Sequence, residues 1–424
     1  MKKISVIGFG KIGQAIAANI LKHGIDVAAV DTDIHLGEQF ENGTYATNEP
    51  GLTDLLNGAY KQNKLNITND FSAVKGTEAI IVSIPLIVDN QKKLLKEPFL
   101  ESFKKLASFL KNNIPVIIET SMPVGFGRNN VMPAIESKGK KHGVDFLLAH
   151  SPERIKSGTM TEQLQQIPKV IGGINKEAVD KAHSVYQLFF DSKLLHIVES
   201  MEAAEMVKLA GMIYRDINIA LSNQFAQFAD AKGISFADLI PLINTDKEAD
   251  LLYPGIGVGG HCTPVYPYFL IENFKDAGLD FSLAAESRRI NDQMAEYAVS
   301  LIKSKVKNKK ALILGLSFRP NVKEDALSTA YLLKNVLLQN GFNVALHDTE
   351  FSAEEIKKKG FDAIKDIYDT DAEVIFLVTM HKEYQQLDFK KLYSTGTRYF
   401  IDGRNSIDKS KSEEAGIKYH GIGR

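Results

Sequence analysis

Six residues near the start of the chain restrict its fold more than any other feature. Gly8-Phe9-Gly10-Lys11-Ile12-Gly13 sets three glycines in the pattern G-x-G-x-x-G. The apolar residues 4–7 before it read as a buried strand, and residues 14–23 after it carry the three- and four-residue apolar spacing of a helix. Gly24 stops that helix, and residues 27–30 form a second strand that runs into Asp31. In such a strand–loop–helix the first glycine permits the tight turn and the second lets the backbone approach a pyrophosphate. The third lets the helix pack closely on the strand. The N-terminus of the helix then presents N–H groups to the phosphates. A carboxylate at Asp31 accepts hydrogen bonds from ribose hydroxyls and repels a 2′-phosphate, so the expected cofactor is NAD rather than NADP.

The pattern continues. Strand-like runs at 79–84, 116–119 and 146–149 alternate with helical stretches, which argues for a parallel, doubly wound sheet. It returns late in the chain: Lys310–Leu314 is a strand, Gly315 opens a loop, and residues 327–339 are helical. Gly341 stops that helix, residues 344–347 are a strand ending in Asp348, and runs at 374–379 and 399–401 extend the second sheet. The middle is different. Over Met201–Lys232, Met206, Leu209, Ala210, Ile213, Ile217 and Ala220 recur three and four apart with no proline. A helix of that span is about 45 Å long at 1.5 Å per residue, the length of a domain bridge or a subunit interface. The expected fold is therefore α/β, with two Rossmann-like doubly wound parallel-sheet domains at 1–195 and 303–424. A helical region at 196–302 joins them, and a homodimer is expected through the 201–232 helix.

Composition narrows the partners. A chain of 424 residues exceeds one ordinary hydrophobic core. Its 51 basic and 52 acidic side chains leave a net charge of −1, so no global field draws it to nucleic acid or an anionic membrane, and neither is an expected partner. One cysteine cannot form an intramolecular disulfide or a thiolate zinc site, which points to a reducing compartment and no metal. The start Met1-Lys2-Lys3 imitates a secretory signal, but Lys11 interrupts the apolar stretch behind it. No segment reaches the roughly 18 apolar residues of a spanning helix. The expected location is the cytoplasm.

That single cysteine lies in Gly255-Ile256-Gly257-Val258-Gly259-Gly260-His261-Cys262. Four glycines in six residues are costly in backbone entropy unless the chain bends sharply or something must approach it closely. A lone cysteine is more often a small buried hydrophobe than a nucleophile. The adjacent His261 fits either a thiol activator or a packing role.

Gly257-Val258-Gly259-Gly260-His261-Cys262 resembles the active-site loop of the UDP-glucose/GDP-mannose dehydrogenase family. Ser151-Pro152-Glu153-Arg154 is similar to a second signature of that family, and Glu119-Thr120-Ser121-Met122-Pro123-Val124-Gly125 to a third. Gly315-Leu316-Ser317-Phe318-Arg319-Pro320-Asn321 resembles the segment that opens its nucleotide-sugar domain. The segments stand in the family's order and the resemblance spans essentially the whole chain. Ser-Pro-Glu-Arg together with Gly-Gly-His-Cys resembles the branch acting on UDP-N-acetylhexosamines such as UDP-N-acetylmannosamine.

The resemblance implies four-electron oxidation of a sugar primary alcohol to a carboxylate, with two NAD consumed in turn. The aldehyde is trapped on Cys262 as a thiohemiacetal, oxidised to a thioester and hydrolysed. It implies that Glu153 assists the water, Lys208 supplies positive charge to the oxyanion and Ser121 hydrogen-bonds near the reacting centre. It places NAD on Gly8, Gly10, Lys11, Ile12, Gly13, Asp31, Ser83, Ser121 and Glu153. It places a UDP-sugar on Arg154, Lys208, Arg215, Gly259, Arg319 and Arg404, with Arg319 standing where the family has a lysine. The chain departs from the family at Met212 (an asparagine), Tyr266 (an aspartate) and Ala326 (an arginine), and residues 246–250 lack an expected arginine. Tyr266, Arg215, Asn218 and Lys247 are candidates to compensate. Two other readings remain: a two-electron dehydrogenase of the 3-hydroxyacid or 6-phosphogluconate type, indifferent to Cys262, and a binder of NAD and nucleotide sugar without turnover.

Overall fold

The structure, a computed structural model, describes residues 2–89, 92–155 and 158–424. The chain separates into two compact units, Met1–Ala210 and Gly211–Arg424, with the boundary inside the long helix.

Among its described residues the first unit holds eight strands: β1 (Lys3–Ile7), β2 (Asp26–Val30), β3 (Leu65–Thr68), β4 (Ile80–Val82), β5 (Ile114–Ile118), β6 (Phe146–His150), β7 (Lys169–Gly173) and β8 (Leu195–Ile197). They lie in the order 3-2-1-4-5-6-7-8. Its first six strands are in the Rossmann order, which creates a switch point between β1 and β4. Side chains alternate between two buried faces, as strands covered on both sides require. Ile4, Val6, Val27, Ala29, Ile81 and Ile117 enter one apolar core. Ile7, Val30, Ile80, Val82, Val116 and Ile118 enter the other.

Within the second unit lie β9 (Lys310–Leu314), β10 (Asn343–His347), β11 (Asp362–Ala363), β12 (Val374–Leu377), β13 (Tyr399–Asp402) and β14 (Lys418–Gly421), in the order 11-10-9-12-13-14. Every pairing is parallel. Ala311, Ile313, Val374 and Phe376 face a core shared with Ala226, Phe236, Ile256 and Met294 from the helical middle. Leu312, Leu314, Ile375 and Leu377 face the opposite core.

The α/β class, the two parallel-sheet domains and the Met201–Lys232 helix are as the sequence predicts. One strand departs: β7 runs antiparallel to β6. Its sequence Lys-Val-Ile-Gly-Gly ends in two glycines that answer to packing. A Cβ at Gly172 would lie 2.1 Å from the Ser200 carbonyl oxygen, and one at Gly173 2.9 Å from the Val179 nitrogen. Among the described residues no helix is long and apolar enough to cross a membrane.

Candidate active site

In the first unit the predicted cofactor residues gather at the carboxyl ends of the strands. Gly8 follows β1, Asp31 follows β2, Ser83 follows β4, Ser121 comes after β5 and Glu153 after β6. Gly8 has φ +86°, and a Cβ there would meet the Ile84 nitrogen at 2.8 Å. A Cβ at Gly13 would fall 2.0 Å from the Gly8 carbonyl oxygen, which also accepts the Ser83 hydroxyl at 2.7 Å. Gly10 differs, because a Cβ there would meet no protein atom within 4 Å. Protein packing accounts for the outer glycines, whereas the middle one leaves open space that a ligand can approach. The helix Lys11–Lys22 starts immediately after, with Lys11 exposed and Ile12 half-buried at its first turn. Asp31 accepts the Phe9 N–H at 2.5 Å and the Asp33 N–H at 3.0 Å, so it fixes the glycine loop from the end of β2. These features fit NAD.

Ser121 is buried in a loop held at both ends. Thr120 donates to the Ile84 carbonyl at 2.5 Å, and Glu205 of the long helix accepts the N–H groups of Gly125 (2.5 Å) and Gly127 (3.0 Å). Lys208, half-buried, follows Glu205 by three residues, so both occupy neighbouring positions on one side of that helix.

Glu153 is buried. Its Oε1 accepts the N–H groups of Arg154 (2.6 Å) and Ile155 (3.0 Å), and its Oε2 accepts Lys169 Nζ at 2.9 Å. Lys169, only 2% exposed, also pairs with Glu119, and Glu119 accepts the Tyr186 hydroxyl. Burial pushes Glu119 up to about 7, with Lys169 opposing the rise. Burial pushes Glu153 in the same direction, but Lys169 and the two N–H groups outweigh it and hold this carboxyl below its usual range. The guanidinium of Arg154 turns back to donate to the Pro168 carbonyl.

Within the second unit the Cys262 loop is pressed onto the second sheet domain. A Cβ at Gly255 would meet the Gly403 oxygen at 2.8 Å, and one at Gly257 (φ +121°) the Asn291 oxygen at 3.0 Å. At Gly259 it would meet the Leu327 oxygen and Phe318 Cβ, both at 3.0 Å. Gly260 (φ +109°) lies against the Phe318 ring and donates its N–H to the Ala326 carbonyl at 2.9 Å. His261 meets the same ring edge-on, 5.9 Å between centroids. Each glycine of the loop is therefore where a side chain would collide. The N–H of Gly255 is caught at 2.9 Å by Asn223, whose amide in turn bonds Asn291. Cys262 is a free, half-exposed thiol, and its carbonyl accepts the N–H groups of Val265 and Tyr266 at the start of the helix Tyr266–Asp276.

This packing brings the Cys262 loop against the segments that carry Arg319 and Arg404. Arg319 follows Phe318, and Arg404 follows Gly403 at the end of β13. Desolvation lowers Arg404 first, and the cation of Arg215 adds to it against Asp402. Arg404 is exposed, so water screens this and its guanidinium stays charged. Paired cations suit a diphosphate.

The family departures take definite places. Met212 is half-buried on the long helix, and Tyr266 packs against Phe269 with 5.4 Å between ring centroids. Position 326 contributes its backbone carbonyl to Gly260, which any residue supplies. Asn218 holds the backbone of residues 250 and 252 at 2.7 and 2.8 Å, and Lys247 is exposed. Sequence reasoning missed Lys169, Asn223 and Glu205. Only Glu119 had a signal, as the first residue of a family-like segment.

Comparison with known proteins decides the class. Residues 2–190 match the NAD binding domain of the UDP-glucose/GDP-mannose dehydrogenase family, 202–293 its central domain and 312–409 its UDP binding domain. A UDP-N-acetyl-D-mannosamine dehydrogenase of Methanococcus maripaludis is 32% identical, over 83% of this chain and 81% of that protein. The chain belongs to the UDP-glucose/GDP-mannose dehydrogenase family. It is an NAD-dependent nucleotide-sugar dehydrogenase. The UDP-N-acetyl-D-mannosamine dehydrogenase of Methanococcus aeolicus is 30% identical over 100% of this chain and 95% of its own length. The solved structure of the UDP-D-ManNAc dehydrogenase of Pyrococcus horikoshii superposes with a TM-score of 0.89 at 27% identity, covering 100% of this chain and 99% of that one.

Proposed function

We propose that this dehydrogenase oxidises C6 of a UDP-linked N-acetylhexosamine, such as UDP-N-acetylmannosamine, to the uronate by way of a thioester on Cys262. The observation that carries the reading is the half-exposed Cys262 on a glycine loop seated against the segments of Arg319 and Arg404. NAD supplies a hydride acceptor for each of the two oxidations. Arg319, Arg404 and Arg215 neutralise the diphosphate, with Arg154 and Gly259 completing the substrate contacts. The Cys262 thiolate adds to the aldehyde carbon and forms a C–S bond. Lys208 and Ser121 stabilise the oxygen at that carbon, where charge develops. Hydride loss converts the adduct to the thioester, and water assisted by Glu153 releases the carboxylate and the thiolate.

The names of the relatives support an N-acetylmannosamine substrate. The direct test incubates the protein with NAD and a panel of UDP- and GDP-sugars and counts NADH per sugar consumed. Two NADH per UDP-N-acetylhexosamine, with uronate as product, is the expected outcome. One NADH with an aldehyde or ketone product overturns the mechanism, and binding without NADH across the panel leaves a binding protein.

The protein acts as a homodimer in the cytoplasm on this reading. Tyr214, Leu221, Phe225 and Phe228 recur at seven, four and three residues along the long helix, and Phe228 is 61% exposed. A helix face of large exposed apolar side chains calls for a cover, and a second copy of the same helix provides one. The double substitution Phe225→Asp/Phe228→Asp is expected to halve the mass measured by light scattering. An unchanged mass would remove this face from the interface.

A further inference from the structure

The buried cluster behind Glu153 is not used by the mechanism above. Lys169 stands on β7 between two carboxylates that come from the ends of β5 and β6, with Tyr186 closing the far side. The cluster is inside: Lys169 and Glu119 are each 2% exposed, Glu153 is 8% exposed and Tyr186 is fully buried. The rings of Tyr186 and Phe190 flank Lys169 Nζ at 5.1 and 5.7 Å, so the ammonium reaches the carboxylates and no solvent. Two carboxylates and one ammonium leave one negative charge in an apolar setting. Such a set favours holding one more proton.

We propose that Lys169 is a positioning residue for Glu153 and links it to Glu119, which holds the proton removed from the hydrolytic water until the product leaves. The assignment rests on the thioester reading. Among the described residues, Arg154 N–H, Ile155 N–H and Lys169 Nζ occupy three of the lone-pair positions of the Glu153 carboxylate, so the group is fixed in orientation. The water oxygen bonds to the thioester carbon and the C–S pair returns to Cys262 Sγ. Glu153 takes the water proton, Lys169 passes one Nζ proton to Glu119, and Lys169 accepts the proton of Glu153 in exchange. The net transfer is one proton from water to Glu119, which gives it back through Lys169 and Glu153 once the product has left, and Lys169 ends as it began. The groups facing Glu119 are Lys169 on β7, Glu153 after β6 and Tyr186 on the helix Lys176–Tyr186. His150 at the end of β6 is buried and held neutral, its pKa lowered to about 3 by burial first. Glu119 is available as acceptor above about 7.

The test compares Lys169→Met, Lys169→Arg and Glu119→Gln with the parent protein, using NAD and the active sugar. Glu119→Gln and Lys169→Met are expected to keep the initial NADH burst and NAD affinity and to slow steady turnover roughly 10- to 100-fold. The acylated Cys262 should accumulate, as seen by intact mass. The parent rate should rise with pH through a limb near 7 that Glu119→Gln lacks, and Lys169→Arg should restore part of the rate. Unchanged turnover and pH profile in Glu119→Gln overturn the proposal, as does loss of burst and NAD binding together with turnover, which marks a purely structural cluster. If Lys169→Met does not fold, the uncharged pair Glu119→Gln/Lys169→Met is read by the same criteria. Infrared titration of the parent protein reports separately on the proton. A buried carboxyl band titrating near neutrality and absent from Glu119→Gln supports the acceptor even where the panel of sugars gives no NADH, and its absence overturns it.

Discussion

Replacing Cys262 by serine is expected to stop the reaction after at most one hydride transfer. A thiol is a far stronger nucleophile toward a carbonyl carbon than a hydroxyl, and a serine hydroxyl without a dedicated base supplies almost no alkoxide. The aldehyde then has no efficient nucleophile to hold it for the second oxidation, and no thioester forms. NADH per sugar should fall from two to one or less. Steady turnover should fall at least roughly a thousandfold, or ~4 kcal/mol of barrier. The substitution is sterically mild, and Cys262 is half-exposed, so thermal stability and NAD binding should stay as they are. Two NADH per sugar from the serine variant would remove the thiol from the mechanism and favour two-electron chemistry of the 3-hydroxyacid kind with a different second step.

The second large effect separates two glycines that look equivalent in the motif. Gly13→Ala places a methyl 2.0 Å from the Gly8 carbonyl and 2.9 Å from the Ser83 hydroxyl. The nearest obstacle is backbone, so the loop must move, at a cost of about 1–3 kcal/mol or more. The melting temperature should fall by several degrees, at roughly 2–4 °C per kcal/mol for a unit of this size. NAD binding should weaken with it, because Gly8 and Phe9 N–H are displaced from their places beside Ser83 and Asp31. Gly10→Ala meets no protein atom within 4 Å and should leave the melting temperature unchanged while NAD binding still falls at least tenfold. Calorimetric melting and a NAD titration on both variants decide the matter. Equal loss of stability in the two would mean that the middle glycine serves the fold and not the ligand.

Much of the fold was legible because its strands are nearly continuous apolar runs, Ile4 to Ile7 and Ala311 to Leu314 among them, each followed by glycine and a periodic helix. The strand Lys169–Gly173 was not. A lysine and two glycines in five residues lack both β-branched density and alternation, and the reason for the glycines, the Ser200 and Val179 backbones, lies elsewhere in the chain. The Met201–Lys232 helix was read to the residue because 32 positions of helical periodicity leave no competing period.

The candidate site was legible to the same unequal degree. Cys262 and the dinucleotide loop announce themselves through glycines, since glycine enrichment is a local record of a backbone that must bend or be approached. Lys169 announces nothing, because a charged residue declares its burial only when its partners arrive. Glu119 stands 50 residues before it and Glu153 16, and they meet only because β5, β6 and β7 lie side by side. Position 326 is the reverse case. Its side chain departs from the family pattern, while its carbonyl still holds Gly260.

By itself, the sequence determined the cofactor fold, the preference for NAD and the identity of the one available thiol, because each follows from residue types at fixed local spacing. Tertiary structure alone decided which glycines of the motif are packed against backbone and which faces open space. It also decided which loops Cys262 rests on and which charges are removed from water. The physical reason is range. Propensity and periodicity act over a few residues, whereas steric exclusion and desolvation depend on what the rest of the chain brings within a few ångströms.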